Sequence, residues 1–189
     1  MRLRNDTYEF IKGEVVAIFE EYHVKCIPIS GFELAYNMGF QVIPYSSFSE
    51  KKRQKLMEID EDGFFTDYDG KETIFYNDKV NYKRVNMTFL HEIGHCVLGH
   101  TEGMDREQVE AEARFFAKYA AAPPPLIHMI RPKNSEDIMR IFDLSREAGG
   151  NAFRYYNKWL KKKHQVTKLT KYEVSMLNMF KESYTRLRC

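Results

Sequence analysis

Three consecutive prolines, Pro123, Pro124 and Pro125, follow the alanine run Ala120–Ala122. Proline has no backbone N–H, so a helix that reaches such a run cannot continue through it. The chain is therefore expected to divide here, with a short connection to about Pro132. That gives two regions: residues 1–130 as one domain, and residues 131–189 as a helical, helix-turn-helix-like accessory region.

The first region mixes helix and strand patterns. Phe10, Ile11, Val15, Ile18, Phe19 and Tyr22 repeat at helical spacing within Tyr8–His23. Phe32–Met38 reads as a shorter helix that Gly39 ends. Phe40–Tyr45 reads as a strand, at a sheet edge because Pro44 cannot donate to a ladder. Gly63–Tyr68 and Lys71–Tyr76 flank Asp69-Gly70, the pair that a type I′ hairpin turn favours. These three strands are expected to form one small sheet. Ser46–Asp62 is a charge run, read as a solvated helix or loop. Val85, Phe89, Ile93 and Val97 at i+4 spacing predict a helix over Val85–Leu98, stopped by Gly99. Asp105–Ala122 is the next helix, with Asp105 and Gln108 placed like a capping box. Beyond the prolines, Ser135–Leu160 and Lys168–Leu187 read as helical. The fold class is α+β, a small sheet packed on helices, with an all-helical C-terminal part.

Composition narrows the function classes. The 29 basic and 27 acidic residues leave a formal charge of +2, which excludes a polybasic nucleic-acid coat and an acidic solvating tail. No apolar run approaches the roughly 20 residues that span a bilayer, so neither a membrane anchor nor a signal peptide is expected. Cys26, Cys96 and Cys189 form no CxxC pair, which fits a reducing cytoplasm.

The chemistry centres on His91-Glu92-Ile93-Gly94-His95. Residues i and i+4 lie one turn apart on one helix face, so His91 and His95 can present two imidazoles to one metal ion. Zn²⁺ accepts neutral imidazole nitrogens and lowers the pKa of water it binds toward ~7. Glu92, beside the first histidine, is placed to take that proton as general base and to return it to a leaving amine. Candidates for a third ligand are His100, Glu102, Glu107, Glu110 and Glu112. Glu110 is favoured, because it shares a stripe with Ala113, Ala117 and Ala121, and small residues let two helices approach closely. Glu112 points about 160° away around the same helix and is read as solvated.

The run Phe89-Leu90-His91-Glu92-Ile93-Gly94-His95-Cys96-Val97-Leu98-Gly99-His100, then Glu110-x-x-Ala113-x-x-Phe116-Ala117 and Pro123, resembles the ImmA/IrrE-type metallopeptidases. The resemblance covers about residues 25–125. It implies a zincin-like core, Zn²⁺ as cofactor, and a glutamate third ligand at the position of Glu110. It also implies a protein substrate, a helix-turn-helix transcriptional repressor of a mobile element or stress regulon. The chain departs from the family at Arg114, where Asn is frequent, and at Tyr119–Ala122, where leucines are frequent.

A transition-state donor is sought among His100, Tyr119, Tyr68 and Tyr76, with His100 and Tyr119 carried forward. Cys96 lies about 100° around the helix from His95 and reads as a buried, inert thiol. His23, His128 and His164 lack partner spacing. The strand Thr73–Tyr76 is either a core strand or a sheet edge able to bind an extended peptide. In the C-terminal region, Asp143-Leu144-Ser145 reads as the turn of a helix-turn-helix unit. Lys161–Cys189 holds eight basic residues against two acidic, so weak contact with DNA phosphates through the basic helices is a rival role beside packing or partner docking.

Overall fold

The structure is a computed structural model that describes residues 3–165 and 168–186. In chain order the elements are α1 (Asn5–Glu21), α2 (Gly31–Asn37), β1 (Gln41–Pro44), a 3-10 turn (Tyr45–Ser47), α3 (Glu50–Ile59), β2 (Gly63–Tyr68), β3 (Lys71–Tyr76), α4 (Tyr82–Val97), α5 (Arg106–Ala121), α6 (Pro124–Ile130), α7 (Ser135–Ile141), α8 (Arg146–Gln165) and α9 (Lys171–Arg186). This is an α+β fold with one small sheet and an otherwise helical body. No helix among the described residues is long and apolar enough to cross a membrane.

The described chain forms two compact units. The first holds Leu3–Thr7 and Ser30–Ala117, and the second holds Tyr8–Ile29 with the described residues from Lys118 onward.

In the first unit the sheet order is β1-β3-β2, with β1 parallel and β2 antiparallel to β3. The hairpin turns at Asp69 and Gly70, both at positive φ (56° and 72°), as a type I′ turn requires. β3 is thus the central strand, with Ile74 and Phe75 buried. The edges are β1, which ends in Pro44, and β2. The peptide-binding edge considered for Thr73–Tyr76 is ruled out, because both sides of β3 are already paired. Aromatic pairs knit the sheet: Phe64 stacks on Phe75 at 5.3 Å, and Phe40 meets Phe65 edge-on at 5.6 Å. α3 carries the charge run and buries no residue.

α4 packs against α2 and the sheet, and Phe89, Leu90 and Ile93 on it are fully buried. It begins at Tyr82, three residues before the apolar repeat, because Asn81 caps it: its side chain accepts from Lys83 N–H at 2.9 Å. α2 crosses α4 at Gly31, whose N–H donates to Asn86 Oδ1 at 2.6 Å. A Cβ there would stand 2.8 Å from Phe89 Cβ, so this crossing needs glycine.

In the second unit the prolines do two things. They end α5, and they start α6, where Pro124 and Pro125 occupy the first helical positions. A first-turn N–H has no intrahelical partner, so its absence costs nothing there. The expected connection to Pro132 is therefore mostly helix, stopped by Arg131 at φ 52°. α7 and α8 meet at a sharp turn where Asp143 has φ 49° and Ser145 Oγ accepts from Ala148 N–H at 3.2 Å. Gly149 lets α7 approach: a Cβ would lie 3.0 Å from Met139 Cβ. Between α8 and α9, buried Glu173 accepts from Trp159 Nε1 at 2.6 Å, Thr170 N–H at 2.7 Å and Lys163 Nζ. Lys163, counted above among the basic tail residues, is thus used internally. Leu187, Arg188 and Cys189 lie outside the described residues.

Candidate metal centre

α4 carries His91 and His95 one turn apart, and their Nε2 atoms stand 3.1 Å from each other. α5 brings Glu110 across, one carboxylate oxygen 3.5 Å from His91 Nε2 and the other 3.5 Å from His95 Nε2. Zinc bonds of about 2.0–2.1 Å in a tetrahedron require donor-to-donor edges of about 3.3–3.5 Å. One donor atom from each of His91, His95 and Glu110 lies within 4.8 Å of the others, a grouping that could hold one metal ion. The sequence named the same three residues.

Close approach of the two helices depends on Gly94. A Cβ on Gly94 would meet Phe116 Cδ1 at 3.0 Å and Phe116 Cβ and Cγ at 3.1 Å. Ala113, Phe116 and Ala117 are all buried. Gly94→Ala is expected to push α5 away from α4. Overpacking costs about 1–3 kcal/mol, against about 1 kcal/mol gained in helix propensity. The net should be a less stable protein with weaker zinc affinity, read by urea unfolding and chelator competition. Unchanged affinity would show that the Phe116 ring gives way instead.

Burial holds the imidazoles neutral. It lowers the pKa of His91, and it lowers that of His95 to about 4 with help from the neighbouring His91 and His100. Both therefore offer lone pairs at neutral pH. Glu92 is 7% exposed, and burial raises its carboxyl to about 8, opposed by a hydrogen bond from Phe65 N–H and supported by Asp60 and Glu110. That hydrogen bond is 2.9 Å long and ends on Glu92 Oε2, so the edge strand β2 runs directly beside the candidate base. No local sequence signal announces a contact across 27 residues.

The remaining candidates separate clearly. Glu102 and Glu107 are exposed. Glu112 is not solvated as the helical wheel suggested: its side chain is 14% exposed and meets His100 Nε2 at 3.0 Å. His100 lies against His95, its Nδ1 2.9 Å from His95 Nδ1, on the side of that ring away from Glu110. Tyr119 stands nine residues beyond Glu110, roughly 14 Å along α5 and on the opposite helix face. Burial, with Tyr172, Tyr155, Glu173 and Glu9 nearby, raises its pKa well above the ordinary value. The structure does not bring it to the metal group. Tyr68 is 47% exposed near the end of β2, and Tyr76 packs on Phe89 at 5.0 Å. Cys96 is half-buried with Sγ 3.9 Å from Glu72 Oε1, and burial and that carboxylate push its thiol up to about 11, consistent with an inert side chain. Arg114 donates from Nε to the Glu110 carbonyl at 2.8 Å. His128 bonds Tyr156 within the second unit.

A small sheet, a helix with two histidines and a glutamate, and a second helix supplying a carboxylate form a metallopeptidase-like arrangement. Residues 51–168 match the family model of the IrrE N-terminal-like domain, peptidase family M78. The match takes in more than half of the chain, and the chain belongs to this peptidase family. No curated protein and no solved structure matches it significantly.

Proposed function

We propose that this chain is a zinc-dependent endopeptidase with a zincin-like core. The observation that supports this best is the close grouping of His91, His95 and Glu110 donor atoms beside a buried Glu92. Bound Zn²⁺ would polarise the scissile carbonyl and acidify water at the site. His91 and His95 hold the ion through Nε2, and Glu110 through its carboxylate. Glu92, tied at Oε2 by Phe65 N–H, takes the proton from the attacking water and delivers it to the leaving amine. The edge strand β2 passes Glu92, and Phe65 N–H of that edge is already given to Glu92 Oε2.

The substrate we propose is a regulatory protein, a helix-turn-helix repressor of a mobile element or stress regulon, as the ImmA/IrrE resemblance implies. The residues from Lys118 onward then serve packing or docking. The test is incubation with the repressor encoded beside this gene, with and without a chelator, read by mass spectrometry of the products. One chelator-sensitive internal cut is expected. An uncut repressor beside a zinc-loaded protein would remove the repressor from the reading. A chain that binds no zinc would remove the endopeptidase.

A further inference from the structure

We infer that His100 and Glu112 are positioning residues for the metal centre: together they fix the proton of His95 on Nδ1 and hold its Nε2 lone pair toward His91 and Glu110. The inference rests on the metal-binding reading above and adds two residues to it.

Backbone geometry places the first of them. Gly99 follows α4 at φ 66°. Its N–H donates to the Cys96 carbonyl at 3.0 Å, and His100 N–H donates to the His95 carbonyl at 3.0 Å. That bond pair is a Schellman motif, which brings the side chain two past the helix cap against the one three residues before it. An apolar contact usually fills this position. Here it is filled by two imidazoles, with ring centres 5.0 Å apart and Nδ1 atoms 2.9 Å apart.

The far end of the chain is anchored in α5. His100 Nε2 lies 3.0 Å from Glu112 Oε2, and Glu112 Oε1 accepts from Gln108 Nε2 at 2.9 Å. The His100 side chain is only 6% exposed. α5 therefore reaches this region twice, through Glu110 at the two histidines of α4 and through Glu112 at His100, just past the end of that helix.

With both imidazoles neutral and Glu112 ionised, proton bookkeeping along this chain has one consistent solution. A carboxylate only accepts, so His100 Nε2 must donate to Glu112. A neutral His100 then has a bare Nδ1, which can only accept. The His95 Nδ1 opposite must therefore carry the hydrogen, and His95 Nε2 is left bare. That bare nitrogen is the one 3.1 Å from His91 Nε2 and 3.5 Å from Glu110. The reverse direction would set a bare His100 Nε2 against the carboxylate and point an N–H of His95 into the metal group. Outer partners of this kind orient a ligating imidazole, and losing one typically weakens metal affinity by about 10–100-fold.

Glu112→Gln is the sharpest probe, because an amide can donate or accept and no longer dictates direction. Two readouts apply to the full chain: zinc affinity by chelator competition, and ¹⁵N spectra of the histidine rings in metal-free protein. Wild type should show His95 with its hydrogen on Nδ1. Glu112→Gln should lose that preference and bind zinc about 10–100-fold more weakly. His100→Phe should weaken binding to a similar degree, and the double variant no further, since both act through one chain. If His100→Phe fails to fold, Glu112→Gln alone still decides the matter. Wild-type affinity and an unchanged His95 tautomer in Glu112→Gln would overturn the inference. So would weaker binding with the tautomer unchanged. A wild-type protein that binds no zinc would instead overturn the metal reading itself.

Discussion

Glu92→Gln is expected to abolish peptide cleavage, keep zinc bound, and make the metal-free protein more stable. The first effect follows from losing the group that moves the proton. General acid–base contributions are about 10²–10⁴-fold, so kcat should fall by that range. The metal should remain, because no donor of the His91, His95 and Glu110 group is altered. The stability effect has the opposite sign because Glu92 is buried. Its carboxyl sits at about 8 in the fold against an ordinary value of 4.5. Its contribution to stability is fully present below pH 4.5 and is lost as pH rises toward 8. At pH 7 that loss is on the order of 3 kcal/mol by linkage, and glutamine does not incur it. Urea unfolding of chelated protein should show little difference between the two proteins near pH 4.5 and a growing advantage for the variant up to pH 8. A variant that still cleaves at the wild-type rate would remove Glu92 as the base. One that gains nothing at pH 8 would show that water reaches the carboxylate.

Much of this was legible in the sequence, and what was missed has physical causes. The Asp69-Gly70 hairpin came out with its strands at the expected residues, since turn chemistry is local. His91 and His95 were legible because i, i+4 spacing fixes a shared face. Glu110 was legible through the alanines beside it, which mark where a helix can come close. The start of α4 was misplaced because a polar cap, not the apolar repeat, decides it. α6 was missed because proline was read only as a terminator, whereas it also fits a first turn. Glu112 was misjudged because a helical wheel contains only its own helix. The partner that draws Glu112 in, His100, comes from a loop whose direction Gly99 sets. The Phe65 contact with Glu92 left no trace in sequence, because it joins a strand to a helix through a backbone N–H. The family match extends to residue 168, past the prolines and through α7 and α8. The resemblance over about residues 25–125 and the family match over residues 51–168 thus overlap on the site and differ at both ends.

Three glutamates near or on the first turns of α5 should differ sharply in what they do for the metal, and their order tests the whole site. Glu110→Gln should be the most damaging. Zinc sites with four protein ligands bind with about 10–16 kcal/mol, or roughly 3 kcal/mol per ligand, so losing one weakens binding by at least about 10²-fold. The amide keeps the shape of the side chain but loses the charge that both imidazoles face at 3.5 Å. Glu112→Gln should weaken binding less, because it touches the ion only through His100 and His95. Glu107→Gln, at an exposed position one turn before Glu110, should leave zinc affinity unchanged. The measurement is one chelator-competition titration on each variant at a fixed pH. A Glu112 variant that binds zinc as poorly as the Glu110 variant would mean the third donor has been misassigned. Equal, wild-type affinity in all three would mean that α5 supplies no ligand, and that the two histidines alone hold whatever binds there.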